Sequence, residues 1–108
     1  MSTKKKQVRA DFRNACYKRD KYCCAMCGMK STPAKAEDEL DAHHITDRNE
    51  MPNGGYVKEN GISLCEKCHL LAEEFHSTGV AATGYSPEDL YKKIGSSYDR
   101  AVQASERL

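Results

Sequence analysis

Two pairs of cysteines and two pairs of metal-binding side chains are the groups in this 108-residue chain from which chemistry can be read first. Cys24-Ala25-Met26-Cys27 and Cys65-Glu66-Lys67-Cys68 are C-x-x-C pairs. Thiolates at that spacing suit the tetrahedral four-sulfur coordination of a structural zinc, with each pair biting the ion from one turn. Cys23 does not give the two-residue gap to Cys27, and Cys16 lies outside both pairs, so neither is assigned a ligand role. Such a staple removes conformational freedom from the unfolded chain, yet names no function, because zinc knuckles also serve binding modules. The residues between the pairs are more telling. His43 and His44 are adjacent, and on a strand their imidazoles leave opposite faces. That division suits two tasks: one ring holds a metal while the other, titrating near pH ~6.5, takes a proton from water. His69 and Glu73 are four apart, so on a helix they project from one face and can share a divalent ion. His76 follows with a register offset and reads as a surface residue.

These groups need elements to hold them. From about Lys6 to Lys21, apolar residues at spacings of three and four predict an amphipathic helix with Val8, Phe12 and Cys16 inward. Ser31 to Asp38 is polar and reads as loop or a short turn. Leu40 to Ile45 alternates as a strand would, and Pro52-Asn53-Gly54-Gly55 is turn chemistry, so the chain reverses and returns through Tyr56 and Val57. After a second turn at Asn60-Gly61, Ile62-Ser63-Leu64 leads to a helix from Cys68 to His76 with Leu71, Ala72 and Phe75 apolar. Ser86-Pro87-Glu88-Asp89 carries a capping hydroxyl, a first-turn proline and first-turn acids. It opens a last helix, about 87–105, with Leu90, Ile94, Tyr98 and Val102 along one stripe.

A chain this short buries little apolar surface, which makes a metal staple expected. Met1 to Lys6 is polar and basic, so neither a secretory signal nor a membrane span is expected there, and a reducing cytosol favours metal ligation over disulfides. The net charge is +1, so bulk charge makes no case for nucleic acid. Its distribution says more: Lys4, Lys5, Lys6, Arg9, Arg13, Lys18, Arg19 and Lys21 face only Asp11 and Asp20 in the same stretch. That run is either a phosphate-facing surface or a solvated helix face.

The order Asp41-Ala42-His43-His44-Ile45, then Asn60-Gly61-Ile62-Ser63-Leu64-Cys65, then Cys68-His69, resembles the signature of HNH endonucleases, in the subgroup framed by two zinc-binding C-x-x-C pairs. Arg19-Asp20 ahead of Cys24 resembles the lead-in of that subgroup, and the likeness runs from about Arg13 to His76. It implies an α+β fold, a small ββα-metal core of hairpin plus helix with a zinc knuckle, which the N- and C-terminal helices read from their own periodicity would flank. The length fits one domain over residues 1–108, in which the resemblance puts the core at about 13–76. His44 matches the general base, His43 the metal ligand before it, and His69 the final histidine, also a ligand. Asn60 matches the middle residue, which orients the hairpin and the base in some members and ligates the metal in others; both roles stay open. Glu73 stands where colicin-type nucleases have a second helical histidine. The resemblance implies a structural Zn2+, one catalytic divalent ion (Mg2+, Mn2+, Ni2+ or Zn2+), DNA as substrate, and a bacterial or phage-encoded cytoplasmic protein. Arg48, Arg13 and Arg19 are the candidates to hold neighbouring phosphates. Two other readings remain: a catalytically silent zinc-knuckle module that binds nucleic acid or protein, and an accessory nuclease of phage packaging or restriction. In the latter a protein partner, docked on the C-terminal helix, supplies site choice.

Overall fold

The structure, a computed structural model, describes residues 2–108, and side chains from residue 4 onward. Met1, at the head of the basic N-terminal stretch, lies outside the described residues. Among the described residues the order is α1 (Ser2–Arg19), α2 (Ala36–Glu39), β1 (Asp41–His44), β2 (Gly61–Leu64), α3 (Glu66–Thr78), α4 (Pro87–Lys93) and α5 (Tyr98–Glu106). This is the expected mixed α+β architecture, a two-stranded antiparallel hairpin with helices around it. No helix among the described residues is long and apolar enough to cross a membrane.

The hairpin is short, and its register sets the positions of the chemistry: Asp41 pairs with Leu64, Ala42 with Ser63, His43 with Ile62, and His44 with Gly61. Alternation sends Ile62 and Leu64, both fully buried, into a core shared with Leu40, Ile45, Ala72, Leu90 and Ala101. The strands are joined by residues 45–60, which reverse the chain through three 3-10 turns (Arg48–Glu50, Pro52–Gly55 and Lys58–Asn60).

Helix α1 begins at Ser2, earlier than its periodicity predicted, and buries Phe12, Cys16 and Tyr17 while Val8 is only half-buried. Its C-terminal end closes the free edge of β2. Arg19 donates to both Asp20 carboxylate oxygens, at 2.8 and 2.7 Å, and to the carbonyls of Lys58 and Gly61. Asp20 Oδ2 in turn accepts from the Ser63 N–H at 2.9 Å, and the Ser63 carbonyl accepts from the Ala25 N–H. A strand edge left bare would expose unpaired backbone groups; here side chains of α1 and the first cysteine turn pair them. Close approach makes Gly61 obligatory: a Cβ there would sit 2.5 Å from Cys16 Sγ and 2.6 Å from the Phe12 ring.

The expected single helix over about 87–105 is instead two, α4 and α5. Ser86 caps α4 through a full capping box with Asp89, as its sequence indicated. Gly95 then ends the helix, at φ 70°, with the Ser96 N–H reaching back to the Tyr91 carbonyl, and Ser97 caps α5 by accepting from the Arg100 N–H. The break turns Tyr98 outward, 52% exposed, so it does not continue the stripe of Leu90 and Ile94. Both helices close the core: Leu90, Tyr91, Ala101 and Ser105 are buried, and Asn53 Nδ2 donates to the Ser105 carbonyl.

Candidate metal centres and active site

Cys24, Cys27, Cys65 and Cys68 come together as their spacing required, with all four Sγ atoms within 4.8 Å of one another. A tetrahedron with Zn–S bonds of ~2.3 Å has sulfur-to-sulfur edges of about 3.8 Å, and Cys27 Sγ to Cys65 Sγ is 3.7 Å. The donor set therefore fits zinc. Burial works against the Cys24 thiolate, but backbone N–H groups of Cys27, Cys65 and Met26 outweigh it and lower the thiol to about 7. Burial and the neighbouring sulfurs push Cys68 up to about 12, although the Tyr85 hydroxyl donates to its Sγ at 3.3 Å. Four crowded sulfurs that cannot all ionise alone are what a central dication stabilises together. Cys16 and Cys23 stand apart from the cluster; burial raises the Cys16 thiol to about 12, the mark of an inert core residue.

The second cluster forms between the hairpin and α3. His43 comes from the strand, His69 and Glu73 from one face of the helix, and a donor atom of each lies within 4.8 Å of the others. His43 Nδ1 is 3.1 Å from Glu73 Oε1, and His69 Nε2 is 3.3 Å from the same oxygen. An imidazole pair with a carboxylate is a donor set for a divalent transition ion, so the residues fit the metal expected of them. His43 is 2% exposed, and its burial, then the charges of His69, His76 and His44, lower its pKa to about 3, so it stays neutral and able to ligate. His69 is aimed by a residue the sequence reading left without a role: Asp41 Oδ2 lies 3.1 Å from His69 Nδ1, leaving Nε2 to face the cluster. A carboxylate behind a ligating imidazole fixes its tautomer and orientation.

His44 leaves the strand on the other side, as adjacency required. Its ring packs against Phe12 of α1, with centroids 4.6 Å apart, and edge-on against Tyr56 at 4.7 Å. The backbone of Gly54 lies close enough to favour the protonated ring, while Nε2 is buried without any partner. An unpaired buried nitrogen carries a desolvation cost, which makes Nε2 the ring atom without a competing partner. Burial, then the Arg48 charge, hold this imidazole below its ordinary pKa.

Asn60 is fully buried and uses its whole amide within the protein. Oδ1 accepts from the Thr46 N–H at 3.0 Å and the Tyr91 hydroxyl at 2.7 Å; Nδ2 donates to the carbonyls of Thr46 and Gly55 at 3.0 and 3.2 Å. It thereby ties both ends of the connection between the strands to α4. Tyr91 was missed in the sequence because it sits beside, not on, the Leu90–Ile94 stripe. His76 is likewise not a surface residue: it is half-buried, its Nε2 donates to the His44 carbonyl at 2.9 Å, and its ring lies 5.1 Å from that of His43.

The three arginines proposed from sequence have different surroundings. Arg19 holds the α1–β2 joint and Arg13 is ion-paired with Glu37 at 3.6 Å, whereas Arg48 is exposed beside Tyr56. Arg9, not singled out before, lies with its Cζ 6.0 Å from the Tyr56 ring centre.

Residues 24–74 match the family model described as HNH endonuclease. The matched stretch opens on the first cysteine of the four-sulfur cluster and ends just past Glu73, so both clusters lie inside it. It supports nuclease activity in general terms. Neither curated proteins nor solved structures gave a match.

Proposed function

We propose, with the HNH match over residues 24–74 as the premise, that this chain is a metal-dependent endonuclease that hydrolyses phosphodiester bonds of DNA, nicking or cleaving it with little sequence preference of its own. The observation that carries the reading is the convergence of His43, His69 and Glu73 on one point, with His44 next in the chain holding an unpartnered Nε2. His43, His69 and Glu73 would hold a divalent cation, which would supply positive charge to the scissile phosphate and the departing 3′ oxygen. His44 Nε2 takes the proton of the attacking water, and the ring is held for that task between Phe12 and Tyr56. Asp41 orients His69. Asn60 acts by fixing the backbone around His44, since its four hydrogen bonds leave it no free donor or acceptor of the kind a metal needs.

The four-sulfur site takes the structural Zn2+ and stands directly before His69, so it sets where α3 begins. Residues 1–108 then work as one nuclease unit, with α4 and α5 bracing the hairpin loop. A partner that supplies site choice would need a surface other than the apolar face of α5, which is turned into the core.

The test is cleavage of supercoiled plasmid by the wild type and His44→Ala at equal zinc content, with Mg2+, Mn2+ or Ni2+ and a chelator control. Metal-dependent nicking by the wild type alone is the expected result. Undiminished cutting by His44→Ala would remove the base assignment, and tight DNA binding without cleavage under any metal would favour the silent binding module.

A further inference from the structure

Beside the catalytic residues lies an open cleft of about 560 Å3, lined by Lys4, Lys5, Val8, Arg9, Asn53 and Tyr56. Three of those six residues are cations and none is a carboxylate. Arg48, exposed on the hairpin loop, stands beside Tyr56, and Arg9 Cζ lies 6.0 Å from the centre of the same ring. Burial alone would raise the Tyr56 phenol, but hydrogen bonds and charge from Arg48 and Arg9 bring it below its ordinary value. Tyr56 thus has two exposed guanidiniums beside it, one from α1 and one from the hairpin loop, each rich in N–H donors. The contrast with the rest of α1 decides where an anion goes. Arg13 is paired with Glu37 and Arg19 with Asp20, whereas neither Arg9 nor Arg48 has an ion pair among the described residues.

The cleft is also one ring away from the chemistry. Tyr56 stands perpendicular to His44, at 90° and 4.7 Å between centroids, and perpendicular to Phe12 at 5.7 Å. Any anion gripped at the Tyr56 hydroxyl is therefore held at a fixed place relative to the proposed base. A chain of phosphates, rather than one isolated anion, suits a groove whose cations continue along α1 from Arg9 to Lys5 and Lys4.

We propose that this cleft seats the DNA backbone next to the scissile bond, with Arg9 and Arg48 gripping one phosphate about the Tyr56 hydroxyl and Lys4 and Lys5 meeting the next. Tyr56 is a positioning residue, since it holds the guanidiniums and the His44 ring together. The assignment rests on the nuclease reading for the identity of its ligand, not for the geometry of the cleft.

The experiment is binding of a fluorescein-labelled DNA duplex to zinc-loaded protein without added divalent metal, over a range of salt, followed by steady-state cleavage with Mn2+. Each neutralised phosphate contributes roughly 0.9 to the slope of log affinity against log salt. Arg9→Gln with Arg48→Gln should lower that slope by about 0.9, and adding Lys4→Gln and Lys5→Gln should lower it by about 1.8 in total. All four side chains are exposed, so these variants should melt with the wild type. Lys92→Gln with Lys93→Gln, both exposed on α4, removes the same two charges as the arginine pair and should change neither slope nor affinity. Tyr56→Phe keeps the ring on His44 but frees the guanidiniums, and should raise KM several-fold with kcat within about twofold. Wild-type protein that binds no DNA, or folded cleft variants with unchanged slope and KM, would overturn the proposal. So would an equal loss in Lys92→Gln with Lys93→Gln. Absence of cleavage with every metal, while the salt slope still falls in the cleft variants, would sink the nuclease reading and leave the cleft standing.

Discussion

Asn60 offers the sharpest separation between a residue that builds the site and one that acts in it. Replacing it with Ala removes four hydrogen bonds from a fully buried position. The Tyr91 hydroxyl keeps Thr46 Oγ1, 2.7 Å away, but the Thr46 N–H and the carbonyls of Thr46 and Gly55 lose their partner. Three stranded backbone groups at about 1–3 kcal/mol each, with the N–H costing most, give a loss on the order of 4 kcal/mol. In a domain of this size that lowers the melting temperature by on the order of 20 °C. Asn60→Asp is the informative companion. It keeps an acceptor for the Thr46 N–H and Tyr91, but sets a second oxygen against two carbonyl oxygens that had received N–H donors. A builder tolerates Asp no better than Ala, whereas a metal ligand would tolerate it well. Thermal unfolding of both zinc-loaded variants, with plasmid nicking measured below each transition, decides the matter. An Asn60→Asp protein that melts near the wild type and cuts with Mn2+ would refute the structural role.

Gly61→Ala should lower the urea midpoint by the equivalent of about 2 kcal/mol, because its Cβ meets Cys16 and Phe12 at overlapping distances; an unchanged midpoint would mean that α1 can shift freely off the hairpin. The His44 pKa lies below its usual value because of burial first and the Arg48 charge second, so the acid limb of kcat/KM should fall below pH ~6.5. Removing the Arg48 charge favours the imidazolium, so Arg48→Gln should move that limb to higher pH; a limb that stays in place or moves to lower pH would separate Arg48 from His44. Tyr85→Phe removes the hydroxyl that donates to Cys68 Sγ, and competition with a chromophoric chelator should show zinc held about 10-fold less tightly. Equal affinity in the two proteins would make that contact incidental.

The cysteine clusters and the histidine pair were legible in the sequence because ligand chemistry restricts residue type and spacing at once. C-x-x-C twice, and a histidine four residues before a glutamate, each describe a local geometry that a turn or a helix realises without help. Asp41, His76, Tyr91 and Tyr56 were not legible as site residues, since what they do depends on segments far away in the chain: Asp41 meets His69 across 28 residues and Tyr91 meets Asn60 across 31. Arg13 and Arg19 looked like their neighbours in composition, and only the fold shows that acids neutralise them. The broken C-terminal helix is a different kind of miss. A spacing of four carried the apolar stripe straight across Gly95-Ser96-Ser97, although a glycine followed by a capping serine is itself a stop-and-start signal.

The adjacency of Cys68 and His69 has a consequence for how this chain can change length. The two residues belong to different groups of potential metal ligands yet share one peptide bond near the start of α3. One inserted residue between them would turn everything beyond it by about 100° and advance it by about 1.5 Å, carrying His69 and Glu73 away from His43 while leaving the four sulfurs in place. Insertions between Gly79 and Tyr85, past the end of α3, disturb no such phase. The join between the clusters is thus the point at which the chain admits no gain or loss of a residue, and the segment after the helix is where variation in length can accumulate.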